Sequence, residues 1–180
     1  MKKKRFALVL AGAMMAGLLA GCGGGSASPS PSASSDPAEK VVTIGVFEPA
    51  SGDNGAGGKQ EVLGMKYAWE VQPTVEVNGE EYKVELKIVD NQSSNDKAAT
   101  AAADLINAGS AVVLGSYGSG VSIAGSDTFK NAGIPVIGVT CTNPQVTEGN
   151  THYFRICFLD PFQGTVLANF AKDNFAATTA

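Results

Sequence analysis

A glycine- and serine-rich loop near the middle of the chain carries groups suited to bind a small anion. Residues 115–120 read Gly-Ser-Tyr-Gly-Ser-Gly and lead into a segment with helical spacing. The first turn of a helix presents unpaired N–H groups and a partial positive charge, and both favour a carboxylate. Ser119 therefore predicts either a hydroxyl that binds such an anion or an ordinary N-cap of the helix.

Residues 140–144 form a second polar loop, which suits an ammonium group. They read Thr-Cys-Thr-Asn-Pro, so the Thr140 carbonyl and the Thr142 hydroxyl are candidate hydrogen-bond acceptors. An ordinary turn closed by the Asn-Pro pair is the simpler interpretation of this loop taken alone. Gly118 and Cys141, which neighbour these residues, complete the predicted ligand-binding set of the two loops, because small residues allow a ligand close to the backbone.

The same loops lack the sequence signatures of enzymes. Residues 115–120 do not have the G-x-G-x-x-G spacing of dinucleotide sites, and Gly58-Lys59 continues with Gln60, unlike a phosphate-binding P-loop. The single histidine, His152, is accompanied by no G-x-S-x-G serine elbow. No Cys-x-x-Cys or Cys/His cluster indicates a metal site. We predict a binding protein that is not an enzyme and has no cofactor.

The segments between the loops predict alternating strands and helices. Strands are predicted at 41–47, 82–89, 111–114, 134–139 and 153–158, and helices at 59–71, 96–108, 121–131 and 162–175, the last with Val166, Leu167 and Phe170 facing inward. This order predicts an α/β fold with a doubly wound parallel sheet, covered on both faces. Ligands bind such sheets beyond the carboxyl ends of the strands, where the strand order reverses. The loops at 50–58, 115–120 and 140–143 leave such ends.

The first 21 residues have the features of an export signal. Four cationic residues at positions 2–5 precede an apolar run of about 15 residues, which is short for a membrane span of roughly 20 residues. The ending Leu19-Ala20-Gly21-Cys22 resembles a bacterial lipobox, which implies cleavage before Cys22 and lipidation of its sulfur; an ordinary signal with a chance cysteine is the alternative. Residues 22–40 then predict the lipidated cysteine and a disordered Gly/Ser/Pro tether.

The net charge narrows the choice of binding partners. Loss of the four cationic residues at 2–5 takes the net charge from −4 to about −8, and an acidic domain argues against nucleic acid as a partner.

The remaining cysteines, Cys141 and Cys157, either pair in an oxidising compartment or stay free as buried thiols.

Seven short motifs from residue 43 onwards occur in a characteristic order. They are Thr43-Ile44-Gly45-Val46, Pro49-x-Ser51-Gly52, Val89-Asp90-Asn91, Gly115-Ser116-Tyr117-Gly118-Ser119, Thr142-Asn143-Pro144, Phe154-Arg155 and Asp160-Pro161-Phe162-Gln163-Gly164. Together they resemble the leucine/isoleucine/valine-binding proteins of ABC importers, which have the type I periplasmic binding fold. The resemblance implies two lobes joined by a hinge, with residues 41–180 forming the first lobe and stopping near the start of the second.

The resemblance also implies roles for single residues. Ser119, Thr140 and Thr142 match positions that grip the α-carboxylate and α-ammonium of an amino acid, and Asp160 lies where the chain crosses toward the second lobe. Gly57 departs from the family, because many members carry an aromatic residue there beside the ligand. A carboxylate of the second lobe completes the ammonium site in the family, so we expect this chain to bind more weakly than the full-length protein.

The function implied is that of an extracytoplasmic receptor, anchored to the cell membrane by its lipid. It would bind an amino acid, with branched-chain types as the family default, close around it as a monomer, and deliver it to the transmembrane subunits of an ABC permease. A ligand-sensing domain of a receptor or regulator uses the same fold and is one alternative. Binding of short amides or urea, as in some relatives, is another.

Overall fold

The computed structural model describes residues 39–179. The predicted signal, the lipidation site Cys22 and most of the tether lie outside the described residues, so they stay predictions. Within residues 39–179, none of the helices is both long enough and apolar enough to cross a membrane.

Six strands form one sheet in the order β2-β3-β1-β4-β5-β6. The strands are β1 (Val41–Glu48), β2 (Thr74–Val77), β3 (Glu80–Asp90), β4 (Ser110–Gly115), β5 (Val136–Gly138) and β6 (Tyr153–Arg155). All neighbours are parallel except the antiparallel pair β2–β3. The order reverses between β1 and β4, which is the topological switch point expected of a doubly wound sheet.

Three helices connect the strands and a fourth follows β6, and this order confirms the predicted α/β class. They are α1 (Gly55–Val71), α2 (Asn95–Asn107), α3 (Ser119–Asn131) and α4 (Asp160–Phe175), with a short 3-10 turn at Pro144–Val146. Helix α1 begins four residues before the predicted start at 59. Its first turn contains three glycines, which have low helix propensity and masked the start in the sequence.

Strand β2 was not predicted, because it has only four residues and its side chains are half-buried or exposed. Asn78 and Gly79 join β2 to β3, and both have positive φ values, 54° and 80°. Such a pair matches the twist of a two-residue hairpin turn.

The face of the sheet that carries Phe47, Val113 and Val136 is covered by α2 and α3. This closed face holds the main core, in which the rings of Phe47 and Phe129 meet edge to face at 5.4 Å between centroids. The other core members are Ala98, Ala101, Ala102, Leu105, Val121, Cys141, Val146 and Tyr153. Edge-to-face contact is a favoured arrangement of aromatic pairs.

The opposite face, which carries Ile44, Leu114 and Ile137, is covered only by α1 among the described residues. A groove of about 590 Å³ lies between this open face and α1. Its helical wall includes Trp69, whose Nε1 donates to the Val84 carbonyl at 2.8 Å. The prediction that both faces are covered is therefore met fully on one side and partly on the other.

Helix α4 begins at Asp160, two residues before the prediction, and none of its residues is buried. Val166, Leu167 and Phe170 are 46%, 60% and 54% exposed, so the prediction that they face inward is wrong. Helical spacing of apolar residues marks one side of a helix, but it does not show that another element covers that side.

Candidate ligand-binding site

The loops that follow β1 and β3 are joined by the Asp90 carboxylate. Its oxygens accept the Ala50 N–H at 2.7 Å and the Ser51 hydroxyl at 2.7 Å, and further N–H groups of Ser51 and Gln92. Partial burial opposes ionisation of Asp90, but these hydrogen bonds prevail and lower its pKa below the ordinary value. Asp90 thus holds the first loop in place beside the switch point.

Asn91, which is fully buried, ties the ends of three strands together. Its side-chain amide donates to the Phe47 carbonyl at 3.2 Å and to the Ser116 hydroxyl at 2.8 Å, and its carbonyl accepts the Ser93 N–H at 3.1 Å. These partners lie at or just after the carboxyl ends of β1, β4 and β3. One side chain therefore sets the spacing of three loops at the rim.

Ser119 is the first residue of α3, and Gly118 occupies the N-cap position. The Ser119 hydroxyl makes no capping bond and instead accepts the Asn143 N–H at 3.2 Å. It therefore joins the loop after β4 to the loop after β5. Gly118 has a φ of 101°, and a Cβ there would lie 2.9 Å from the Asn54 side-chain nitrogen, so only glycine fits without strain.

The loop after β5 carries the other predicted site residues. Thr140 is exposed and donates its hydroxyl to Glu61 of α1, while Thr142 is half-buried and its carbonyl accepts the Asp160 N–H at 3.1 Å. Asp160 is exposed at the start of α4. The structure thus brings Ser119, Thr142 and Asp160 to one rim, with Thr140 bonded to α1.

Cys141 lies beneath this loop with no exposed surface. Both Cys141 and Cys157 are free thiols, but only Cys141 is buried, because Cys157 is half-buried. Burial, with a smaller contribution from Cys157, raises the pKa of the Cys141 thiol to about 11. Cys141 therefore anchors the loop to the core as an un-ionised side chain.

Arg155, at the end of β6, organises the same loop from within. Its guanidinium donates to the carbonyls of Cys141 at 2.8 Å, Asn143 at 2.9 Å and Pro144 at 3.1 Å, and to the Thr147 hydroxyl at 2.8 Å. The sequence showed Arg155 only as part of a motif. Its role emerges from the fold, because the planar fork of donors matches several carbonyls of one curved loop.

The ring of Tyr117 lies against Gly57, in the space that a side chain at position 57 would need. The sequence marked Gly57 as a departure from a family that often has an aromatic residue there. An aromatic ring is nevertheless present, contributed by the loop after β4 instead of by α1. Tyr117 was therefore missed as a wall of the site.

A pair of acidic side chains lies directly behind Tyr117. Glu48, at the end of β1, is 1% exposed, and its Oε2 accepts the Tyr117 N–H at 2.7 Å. Its carboxyl interacts with that of Glu61, on α1. Burial raises the pKa of Glu48 to about 9, with a further contribution from Glu61. No group of three or more potential metal-ligating side chains occurs among residues 39–179.

A family model described as periplasmic binding protein matches residues 41–180. That match includes every strand, helix and rim loop described above. The chain belongs to the periplasmic binding protein family. This periplasmic binding protein is 35% identical over 136 residues to a Leu/Ile/Val-binding protein homolog of Brucella abortus, covering 74% of this chain and 36% of that relative. The chain thus spans about a third of the length of the curated relatives it matches.

Solved structures of the family have the same fold. A leucine-binding protein from Thermotoga maritima is 36% identical and superimposes with a TM-score of 0.69, covering 76% of this chain and 38% of that one. A branched-chain amino acid transporter substrate-binding protein from Streptococcus pneumoniae, solved in complex with isoleucine, is 26% identical with a TM-score of 0.69, covering 77% and 40%. The predicted type I lobe is therefore confirmed as the fold of this periplasmic binding protein.

Proposed function

We propose that this chain is the first lobe of an ABC-importer receptor that binds a branched-chain amino acid. The observation that carries the proposal is the rim at the switch point, where the amino end of α3 meets the polar loop after β5 through the Ser119–Asn143 hydrogen bond. Relatives with the same lobe are named as leucine- or Leu/Ile/Val-binding proteins, which favours an apolar, branched ligand side chain.

The amino end of α3 would take the α-carboxylate. No side chain caps that end, so its first N–H groups are available to an anion. The Ser119 hydroxyl, already held at the rim by Asn143, would add a charge-assisted hydrogen bond of about 1.5–3 kcal/mol. Gly118 would allow the carboxylate to approach the backbone.

The loop after β5 would take the α-ammonium. The Thr142 hydroxyl and the Thr140 carbonyl are its proposed acceptors, and Cys141 holds the two threonines from beneath. We place Asp160 at the entry to a second lobe, whose carboxylate would complete the ammonium site. Hinge closure around the ligand would then form the surface that an ABC permease recognises.

Calorimetry tests the ligand class directly. L-leucine, L-isoleucine and L-valine should bind with heat release to the full-length gene product and more weakly to the 180-residue chain, while L-glutamate should bind to neither. Ser119→Ala should weaken L-leucine binding by about 1–3 kcal/mol, whereas Ser126→Ala, on the same helix but bonded only to the Ile123 carbonyl, should not. Equal affinity in the two serine variants would remove Ser119 from the site.

We also propose that the receptor is extracytoplasmic, monomeric and anchored through lipidated Cys22. Two acyl chains hold a protein stably at a membrane, whereas one does so only marginally. Metabolic labelling with a palmitate analogue should label the wild-type protein and leave Cys22→Ala unlabelled. A labelled Cys22→Ala protein would place the lipid elsewhere.

A further inference from the structure

Glu48, which is buried, and Glu61, which is half-buried, form an acidic pair in which one oxygen of each carboxyl has no hydrogen-bond donor. Each carboxyl uses one oxygen at the rim: Glu48 Oε2 accepts the Tyr117 N–H at 2.7 Å, and Glu61 Oε1 accepts the Thr140 hydroxyl. Their other oxygens, Glu48 Oε1 and Glu61 Oε2, are buried and have no donor among the described residues. Two buried acceptors without donors would be costly if both carboxyls were ionised.

A single proton shared by the two carboxyls would give these unpaired oxygens a hydrogen-bond partner. The two carboxyls interact with each other, and each has a buried oxygen without a donor, so a proton on one of them turns two repelling acceptors into a donor and an acceptor. Gly115 permits this packing, because a Cβ at that position would lie 2.6 Å from Glu48 Oε1. A larger residue at 115 would force the pair apart.

We propose that Glu48 and Glu61 are positioning residues of the ligand site, and that one proton held between them fixes the Tyr117 wall and the Thr140 loop relative to α1. The link to a ligand rests on the proposed function. Glu48 draws in the Tyr117 N–H and so sets the ring against Gly57. Glu61 draws in Thr140, whose carbonyl is the proposed acceptor of the ammonium.

Among residues 39–179, no cation acts on the Glu48 carboxyl. The groups that act on Glu48 are Glu61 from α1 and the Tyr117 N–H from the loop after β4. From β6, Tyr153 faces the pair, with its hydroxyl donating to the Gly115 carbonyl at 2.7 Å. Thr140 is the contact from the loop after β5. Burial and the neighbouring Glu61 raise the pKa of Glu48 to about 9, and burial also raises the pKa of Tyr153.

Carbon-13 NMR of the glutamate carboxyls tests the shared proton without any ligand. One resonance should titrate near pH 9, far from the ordinary value of about 4.3. Glu48→Gln should remove that resonance, and the exposed control Glu85→Gln should leave it in place. If every glutamate titrates below about pH 6, or if the high resonance survives Glu48→Gln, the pair does not hold a proton.

The backbone amide of Tyr117 tests the positioning role. Glu48→Ala removes the acceptor of that N–H, so its proton and nitrogen resonances should move strongly. Glu48→Gln offers a neutral acceptor and a donor toward Glu61, so it should return them close to wild type at neutral pH. Should Glu48→Ala fail to fold, the same comparison between wild type and Glu48→Gln above about pH 9.5 carries the test, because only the wild-type amide should then shift. An amide that stays in place in both comparisons contradicts the proposal.

L-leucine affinity connects the pair to the site. Glu48→Ala should weaken binding by roughly tenfold, and Glu48→Gln should rescue most of that loss. Wild-type affinity should fall more steeply than that of Glu48→Gln as the pH rises through about 9, because the variant should follow only the deprotonation of the ligand's own ammonium group. If the NMR results hold and wild-type protein binds no L-leucine, the proposed ligand class fails and the shared proton stands. If L-leucine binds and the pH profile of Glu48→Gln matches wild type, the positioning role fails.

Discussion

The two faces of the sheet are built from the same strands, but they differ in what covers them. On β6, Tyr153 points to the closed face and is 3% exposed, while its neighbour Phe154 points to the open face and is 55% exposed. Beyond the strand, Ile156 is 75% exposed. Apolar alternation therefore assigns each side chain to one face of the sheet. Whether that side chain is buried depends on a covering element, which can lie far away in sequence.

The largest expected effect comes from removing a closed-face aromatic. Phe129→Ala deletes a buried ring and its edge contact with Phe47, so the free energy of unfolding should fall by about 3–5 kcal/mol. The matched change Phe170→Ala, on exposed α4, should cost less than about 0.5 kcal/mol. Urea denaturation of the two variants measures both values. Equal losses would mean that α4 is packed as tightly as the helices on the closed face.

Arg155 sharpens the comparison at the rim of the closed face. Arg155→Met keeps the apolar stem but removes four hydrogen bonds to the loop after β5. Because partly buried carbonyls lose a charged donor, we expect a loss of about 2–3 kcal/mol in unfolding free energy. Arg155→Lys should recover only part of it, since an ammonium lacks the planar fork. Full recovery in the lysine variant would show that charge alone is needed.

Asp90 gives a smaller effect that depends on pH. Its hydrogen bonds lower its pKa in the folded state, so its contribution to stability is present above the ordinary pKa of about 3.9 and is lost as the pH falls through the folded value. Asp90→Asn should cost about 1 kcal/mol at neutral pH and flatten this acid-side loss. Thermal melting between about pH 2 and pH 7 measures both. An unchanged acid profile in Asp90→Asn would assign the loss to other carboxylates.

The smallest effect is expected on the open face. Ile156→Ser should change the unfolding free energy by less than about 0.5 kcal/mol, because the side chain is largely exposed. The same change at a buried position, Val113→Ser, should cost several times more, since it places an unpaired hydroxyl in the core. Urea denaturation separates the two. A large loss at Ile156 would show that the open face is covered in solution.

Most of the fold followed from the sequence, because strand and helix periodicities are local properties. Apart from β2, the alternation of strands and helices and the loops at 115–120 and 140–143 were predicted correctly. Strand β2 was too short and too polar to be seen, and the inward side of α4 was predicted without knowledge of a covering element. Local patterns carry no information about partners distant in sequence.

The candidate site likewise has residues that the sequence predicted and residues that only the fold brought to light. Ser119, Thr140 and Thr142 were identified from residue type and loop position, and their roles as ligand groups stay predictions. Glu48 gave no signal, because a lone glutamate at the end of a strand resembles any surface residue. Only the fold shows that Glu61, thirteen positions later, interacts with it behind Tyr117.

The Tyr117 ring seated over Gly57 has a consequence for how this lobe can change. An indole or phenol introduced at position 57 would collide with the ring already there, and loss of Tyr117 alone would leave a void above a bare backbone. The two positions are therefore interdependent, and a shift of the aromatic group from one loop to the other requires paired substitutions. We therefore expect residues 57 and 117 to change together wherever ligand preference at this wall changes.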